Sequence, residues 1–191
     1  MTGKLPEITA TSLLRHCYPC GSECCRYSSP IISPDEKDRI VTSYRKDFFI
    51  EQSTPTGNYF VIGRHADGSF REIDPQVGKS SPCGYLDTDG SCTIHNIKPL
   101  DCRTYPLRAV PNTVMDRIEW RFHRACPATP CINAEFLAAA QIIALTSLHR
   151  FAPETYMDWL HKYSPWALAP EAAFGLNRTE WPHQLQSSTE G

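Results

Sequence analysis

The sequence predicts an α+β fold, a small domain built of short β-hairpins with an N-terminal helix and C-terminal helices. Three observations predict it. Ser33-Pro34-Asp35-Glu36 has the layout of a capping box, with Pro34 at the first helical position and Glu36 three residues past the cap. From Met115 onward the residues alternate, Ile118, Trp120 and Phe122 on one side and Arg117, Glu119, Arg121 and His123 on the other, which is the period of a strand. Phe136, Leu137, Ala140, Ile143, Ala144 and Leu148 then recur at helical spacing behind Asn133, a residue suited to cap them.

Composition sets the limits of this reading. A chain of 191 residues suits one domain with a tail, and 41% apolar with 10% aromatic content is enough for a packed core. The opening residues, Met1 to Ala10, lack the apolar run of a secretory signal, and no stretch reaches the length of a membrane span. The expectation is a soluble, cytoplasmic chain. Nineteen basic and 21 acidic residues leave a net charge of −2, which argues against nucleic acid or an anionic membrane surface as partner.

Taken in order, Pro6 to His16 is weakly helical through Ile8, Leu13 and Leu14 and leads into Cys17-Tyr18-Pro19-Cys20-Gly21-Ser22-Glu23-Cys24-Cys25. Four thiols within nine residues can close on a metal or cluster or cross-link as disulfides. The chain can build a core without disulfides, thiols stay reduced in the cytoplasm, and nine cysteines is an odd number. Metal ligation is therefore the better reading, and it makes the domain metal-stapled. Cys24 and Cys25 are adjacent and point in different directions, so they serve different metal ions, or one ligates while the other is buried or reactive.

The helix capped by Ser33 is expected to run to about Phe49, with Ile40, Val41, Tyr44, Phe48 and Phe49 on its apolar face. Ser53 to Gly57 breaks the pattern. Tyr59 to Ile62 and Phe70 to Ile73 then read as two arms of a hairpin around Ala66-Asp67-Gly68, with Gly63 allowing a close backbone approach and His65 solvated near the tip. Beyond the helix over 133–148, Pro153 opens another to about Tyr163 through Tyr156, Trp159 and Leu160. Residues 1–163 form the predicted cysteine-cluster domain. Residues 164–191 read as a Pro-rich, loose tail whose Trp166, Phe174 and Trp181 are apolar enough to fold back on the body, the expected outcome, or to dock on a partner.

The second cysteine region runs from Cys83 to Pro106. Asp89-Gly90 is a turn signal between short extended arms that brings Cys83 and Cys92 together, and Pro99 starts a short helical turn that carries Cys102. His95 is three residues past Cys92 and reads as a polar surface residue, with zinc ligation the alternative.

Here the chain resembles the CxxCxxCC cysteine-cluster proteins, a zinc- or iron-chelating family whose bacterial members are often labelled iron–sulfur-cluster-containing. That family joins an N-terminal C-x-x-C-x-x-C-C knot to a later C-x-x-L…G-x-C-x-I…P-x-x-C-R-x-Y-P element. Cys83, Leu86, Gly90, Cys92, Ile94, Pro99, Cys102, Arg103, Tyr105 and Pro106 occupy every fixed position of the later element. The knot departs from the pattern, since Gly21-Ser22-Glu23 puts three residues where the family has two. Which of Cys24 and Cys25 takes each family role stays open.

The resemblance implies a metal centre on Cys17, Cys20, Cys24, Cys25, Cys83, Cys92, Cys102 and Cys126, the last matched through Cys126-Pro127, with Cys131 as the spare and the alternative to Cys126. It implies an iron–sulfur cluster first and zinc as the alternative, since all-thiolate sites suit both. Arg103 and Tyr105 would support the centre from outside the ligand set, by hydrogen bonds to sulfur or by fixing the knot. A similarity to the cysteine cluster of flagellin lysine N-methylases raises a protein-modifying enzyme as a third reading. No phosphate-binding Gly-rich loop, G-x-S-x-G elbow or H-E-x-x-H helix is present. A protein or redox partner is expected, with its identity open.

Overall fold

A computed structural model describes residues 22, 24–27, 29–72, 82–113, 115–124, 126–163 and 168–177. Its helices are α1 (Cys24–Tyr27), α2 (Pro34–Tyr44), α3 (Leu100–Arg103), α4 (Ala134–Leu148) and α5 (Pro153–Tyr163). Its strands are β1 (Phe49–Thr54), β2 (Gly57–Ile62), β3 (Leu107–Asn112), β4 (Arg117–His123) and β5 (Leu168–Asn177). They form two small antiparallel sheets, β1-β2 and β3-β4-β5, so the α+β class predicted from sequence is the one observed. No helix among the described residues is long and apolar enough to cross a membrane.

The capping box at Ser33 forms, but α2 stops at Tyr44 and does not reach Phe49. Arg45 adopts φ 61°, and its N–H donates to the Val41 carbonyl at 2.8 Å, which closes the helix early. Phe49 instead opens β1, with its N–H received by Asp47 Oδ1 at 3.0 Å. The expected breaker over 53–57 is the turn of the β1-β2 hairpin, where Thr54 pairs with Gly57. Tyr59 to Ile62 therefore pairs with β1, and the predicted arm at Phe70 survives only as a bridge between Arg64 and Phe70. Ile73 lies outside the described residues. The turn at 66–68 exists, with His65 N–H donating to the Ser69 carbonyl at 2.9 Å. Gly63 does sit where a side chain has no room, because a Cβ there would run into Ile50.

The β1-β2 hairpin separates two apolar clusters, and strand alternation explains the division. Tyr59 and Val61 join the larger core of Ile31, Leu107, Ala109, Ile118, Trp120, α4 and α5. Ile62 faces the smaller cluster of Ile32, Ile40, Phe48, Phe49, Tyr85 and Ile94, against which Phe60, Cys83 and Cys92 pack. Helix α5 docks on the hairpin, since Trp159 Nε1 donates to the Ser29 carbonyl at 3.0 Å and the Tyr59 hydroxyl donates to Asp158 at 2.8 Å.

Helix α4 begins where expected, with Asn133 Oδ1 accepting from Phe136 N–H at 2.8 Å, and it buries Phe136, Ala140, Ile143, Ala144 and Leu148. The assignment of 164–191 to a loose tail is corrected over 168–177, which form β5 against β4. Phe174 stacks on Trp120 with ring centroids 4.9 Å apart, so an aromatic pair across the strands holds this segment. Trp166 and Trp181 lie outside the described residues.

Candidate metal centre

Three chain segments carry the candidate ligands, and the second of them packs against the smaller core. The first is α1, which carries Cys24 and Cys25 with their sulfurs 4.0 Å apart. Ser22 leads into it at φ 56°, its carbonyl accepting the Cys25 N–H at 2.9 Å and its hydroxyl donating to the Gly90 carbonyl at 2.6 Å. The knot is thus tied directly to the Asp89-Gly90 turn.

The second segment is that turn and its arms. Gly90 takes φ 84°, a left-handed conformation that glycine adopts without strain. Leu86 and Cys92 bridge, Asp87 N–H donates to the Ser91 carbonyl at 2.8 Å, and Thr93 donates to the Tyr85 carbonyl through both N–H and hydroxyl at 2.9 Å. Cys83 and Cys92 are brought to the same cluster as the turn signal predicts. Cys83 N–H donates to the Cys25 carbonyl at 2.8 Å, which joins the two cysteine groups backbone to backbone. Gly84 packs this segment closely on the residues around the hairpin, because a Cβ there would come within 2.6 Å of the Arg64 carbonyl oxygen.

The third segment is α3, which carries Cys102. Its start is held by Glu36, a buried residue of α2 whose Oε1 accepts Leu100 N–H at 2.8 Å while Oε2 accepts Ser33 N–H at 3.2 Å. Beside Cys102, Asp101 and Arg108 form a buried ion pair at 2.8 Å. Burial opposes the Arg108 charge, but the Asp101 carboxylate outweighs it and holds the guanidinium protonated.

The thiols share one electrostatic neighbourhood. Cys25 is drawn down to about 7 by its hydrogen bond with Cys24, against burial, with Lys98, Arg71 and Arg26 assisting. Burial pushes Cys83 up to about 12, and a charge on Cys25 adds to it. Burial and the Cys25 charge likewise lift Cys92 to about 11. Cys102 is raised well above the ordinary thiol range by burial, then by Asp101 and Cys25. One thiolate is tolerated and further ones repel it. A thiophilic cation would reverse that balance, so the chemistry of these thiols suits a metal. Among the described residues, no group of three or more Cys, His, Asp or Glu side chains is placed to hold a metal ion.

Of the eight predicted ligands, Cys24 lies beside Cys25, and a charge on Cys25 acts on Cys83, Cys92 and Cys102. Cys126 follows β4, its N–H donating to the His123 carbonyl at 3.2 Å. Cys17 and Cys20 lie outside the described residues, as does the side chain of Cys131. Arg103 Nε donates to the Lys98 carbonyl at 3.2 Å and so braces the turn ahead of α3. Tyr105 lies against His123, ring centroids 5.9 Å apart. His95 is half-buried and not a freely solvated residue, with Nε2 enclosed and lacking a hydrogen-bond partner. Sequence reasoning missed Arg71, which is buried behind α1, and the second role of Glu36. No local pattern marks Arg71, because its neighbour Phe70 is 70% exposed and the segment is not a regular strand.

Comparison with curated proteins and with solved structures returns no match. The family model CxxCxxCC, described as "Putative zinc- or iron-chelating domain", matches residues 16–131, more than half of the chain, and the protein belongs to that family.

Proposed function

We propose that this protein holds an iron–sulfur cluster on thiolates drawn from Cys17, Cys20, Cys24, Cys25, Cys83, Cys92, Cys102 and Cys126. The observation that carries the reading is the bond from Cys83 N–H to the Cys25 carbonyl, which ties the first cysteine segment to the second, with Cys102 of α3 close enough for a charge on Cys25 to act on it. Buried thiols that raise one another's proton affinity become good ligands once a cation neutralises them. Bound there, a cluster would supply one-electron chemistry, and a redox protein partner is the expected counterpart. The chain's own part is to gather the sulfurs, exclude water with Tyr85 and Ile94, and fix the turn by the Arg103 contact to Lys98.

Structural zinc is the second reading, favoured by the packing of Cys83 and Cys92 against the smaller core, where a closed site would hold the hairpin, turn and knot together. Elemental analysis with an optical spectrum on protein purified without oxygen separates the two. Iron with matching acid-labile sulfide and a broad band near about 400 nm supports the cluster. Zinc without colour replaces it with the structural reading. Replacing Cys20 or Cys92 by Ser is expected to abolish the bound metal and much of the fold, and Cys131→Ser is expected to be nearly silent. Metal retained by the first pair, or lost from the last variant, sinks this ligand assignment.

A further inference from the structure

Arg71 is 6% exposed, and its guanidinium donates to three backbone carbonyls. Nη2 reaches the carbonyl of Cys25 at 2.8 Å and that of Arg26 at 2.9 Å, and Nη1 reaches Ile62 at 3.2 Å. Its own N–H donates to the Gly63 carbonyl at 2.8 Å, which fixes its backbone to the end of the hairpin. The Cys25 carbonyl that it engages is the same one that accepts Cys83 N–H. One oxygen thus receives donors from the hairpin exit and from the second cysteine segment.

We infer that Arg71 is a positioning residue of the metal centre, a buried cation that locks Cys25 against Cys83 and offsets the negative charge of the assembled thiolates. The inference rests on the metal-binding reading. Two physical requirements meet in this side chain. Helix α1 has only four residues and cannot satisfy its own end carbonyls, so an outside donor must do so. A thiolate set in a low-dielectric junction also needs positive charge nearby, and Cys25, Cys83 and Cys102 all act electrostatically on this guanidinium. Arginine meets both needs because its planar fork spans several acceptors and stays charged. Lysine would keep the charge and lose the fork.

The test compares wild type, Arg71→Gln and Arg71→Lys, titrated as apo-proteins with cobalt(II) and zinc against a chromophoric chelator under argon. Folding is followed in parallel by circular dichroism. Removing a partner that orients a ligand costs roughly 10- to 100-fold in metal affinity, and that loss is expected for Arg71→Gln, with a shifted thiolate-to-cobalt charge-transfer band. Arg71→Lys should recover part of the affinity without restoring the wild-type band. If Arg71→Gln does not fold, Arg71→Lys alone decides, and wild-type affinity and band position in it overturn the inference. Loss of fold in both variants that saturating zinc does not recover also overturns it, by reducing Arg71 to scaffold. A wild-type chain that takes up neither metal, and no cluster on reconstitution with iron and sulfide, removes the metal-binding reading and this one together, whereas wild-type binding matched by folded Arg71→Gln removes this one alone.

Discussion

Asp101 and Arg108 show how a buried charge is accommodated beside a thiol. The carboxylate is 5% exposed and the guanidinium 2%, and Nε and Nη2 of Arg108 have no hydrogen-bond partner. Asp101 therefore carries most of the compensation. Asp101→Ala would leave the guanidinium buried and unpaired, and chemical denaturation is expected to show a loss of about 3–5 kcal/mol. Glu119 is a different case, a buried carboxylate on β4 clamped by Arg117 and Arg121 at 2.6 Å each. Burial alone would raise its pKa, but hydrogen bonds from Arg121, Asn112 and Arg117 carry it down from 4.5 to about 2. A carboxyl depressed on folding adds stability above its ordinary value and gives it up as pH falls toward the folded one. The wild-type urea midpoint should thus drop between pH 4.5 and about 2, and Glu119→Gln should flatten that part of the profile while lowering stability at neutral pH.

At the scale of elements, the short helices are held by other segments more than by their own length. Helix α3 has four residues, too few to be stable alone, and Glu36 supplies an acceptor for its first N–H. The same carboxylate closes the α2 cap, so one side chain joins two helix starts. Glu36→Ala is expected to cost about 2 kcal/mol or more by leaving buried donors unsatisfied, and to weaken metal uptake through displacement of Cys102. Thermal unfolding of the apo-protein and a chelator competition read the two effects separately. A capping box can be recognised in Ser33 to Glu36, but the bond to Leu100 cannot, because it spans 64 positions. The β1-β2 hairpin was hidden for a related reason. Phe48 and Phe49 continue the helical spacing of α2, and only the left-handed turn at Arg45 diverts them.

For the molecule as a whole, metal binding and folding are expected to be linked. The thiols of Cys83 and Cys92, raised to about 12 and about 11, are protonated near neutrality and must each release a proton to ligate. Affinity should rise with pH between about pH 6 and pH 8, and loading the apo-protein in weak buffer should acidify the solution. An affinity flat across that range, measured by chelator competition, would count against thiol ligation at this junction. Excess chelator should lower the unfolding temperature, since a metal bound to thiols of the folded chain would stabilise it over the unfolded one.

Periodicity, cap chemistry and turn residues act over a few positions, and they made α4, α5, β4 and the Gly90 turn legible together with the cysteine segments and the family pattern. Strand partners, the end of α2, the pairing of 168–177 and the place of Arg71 were decided by folding. The reason is range. Each of those depends on which distant backbone group or apolar surface a residue meets, and a buried guanidinium or a paired edge carries no local sign of its partner.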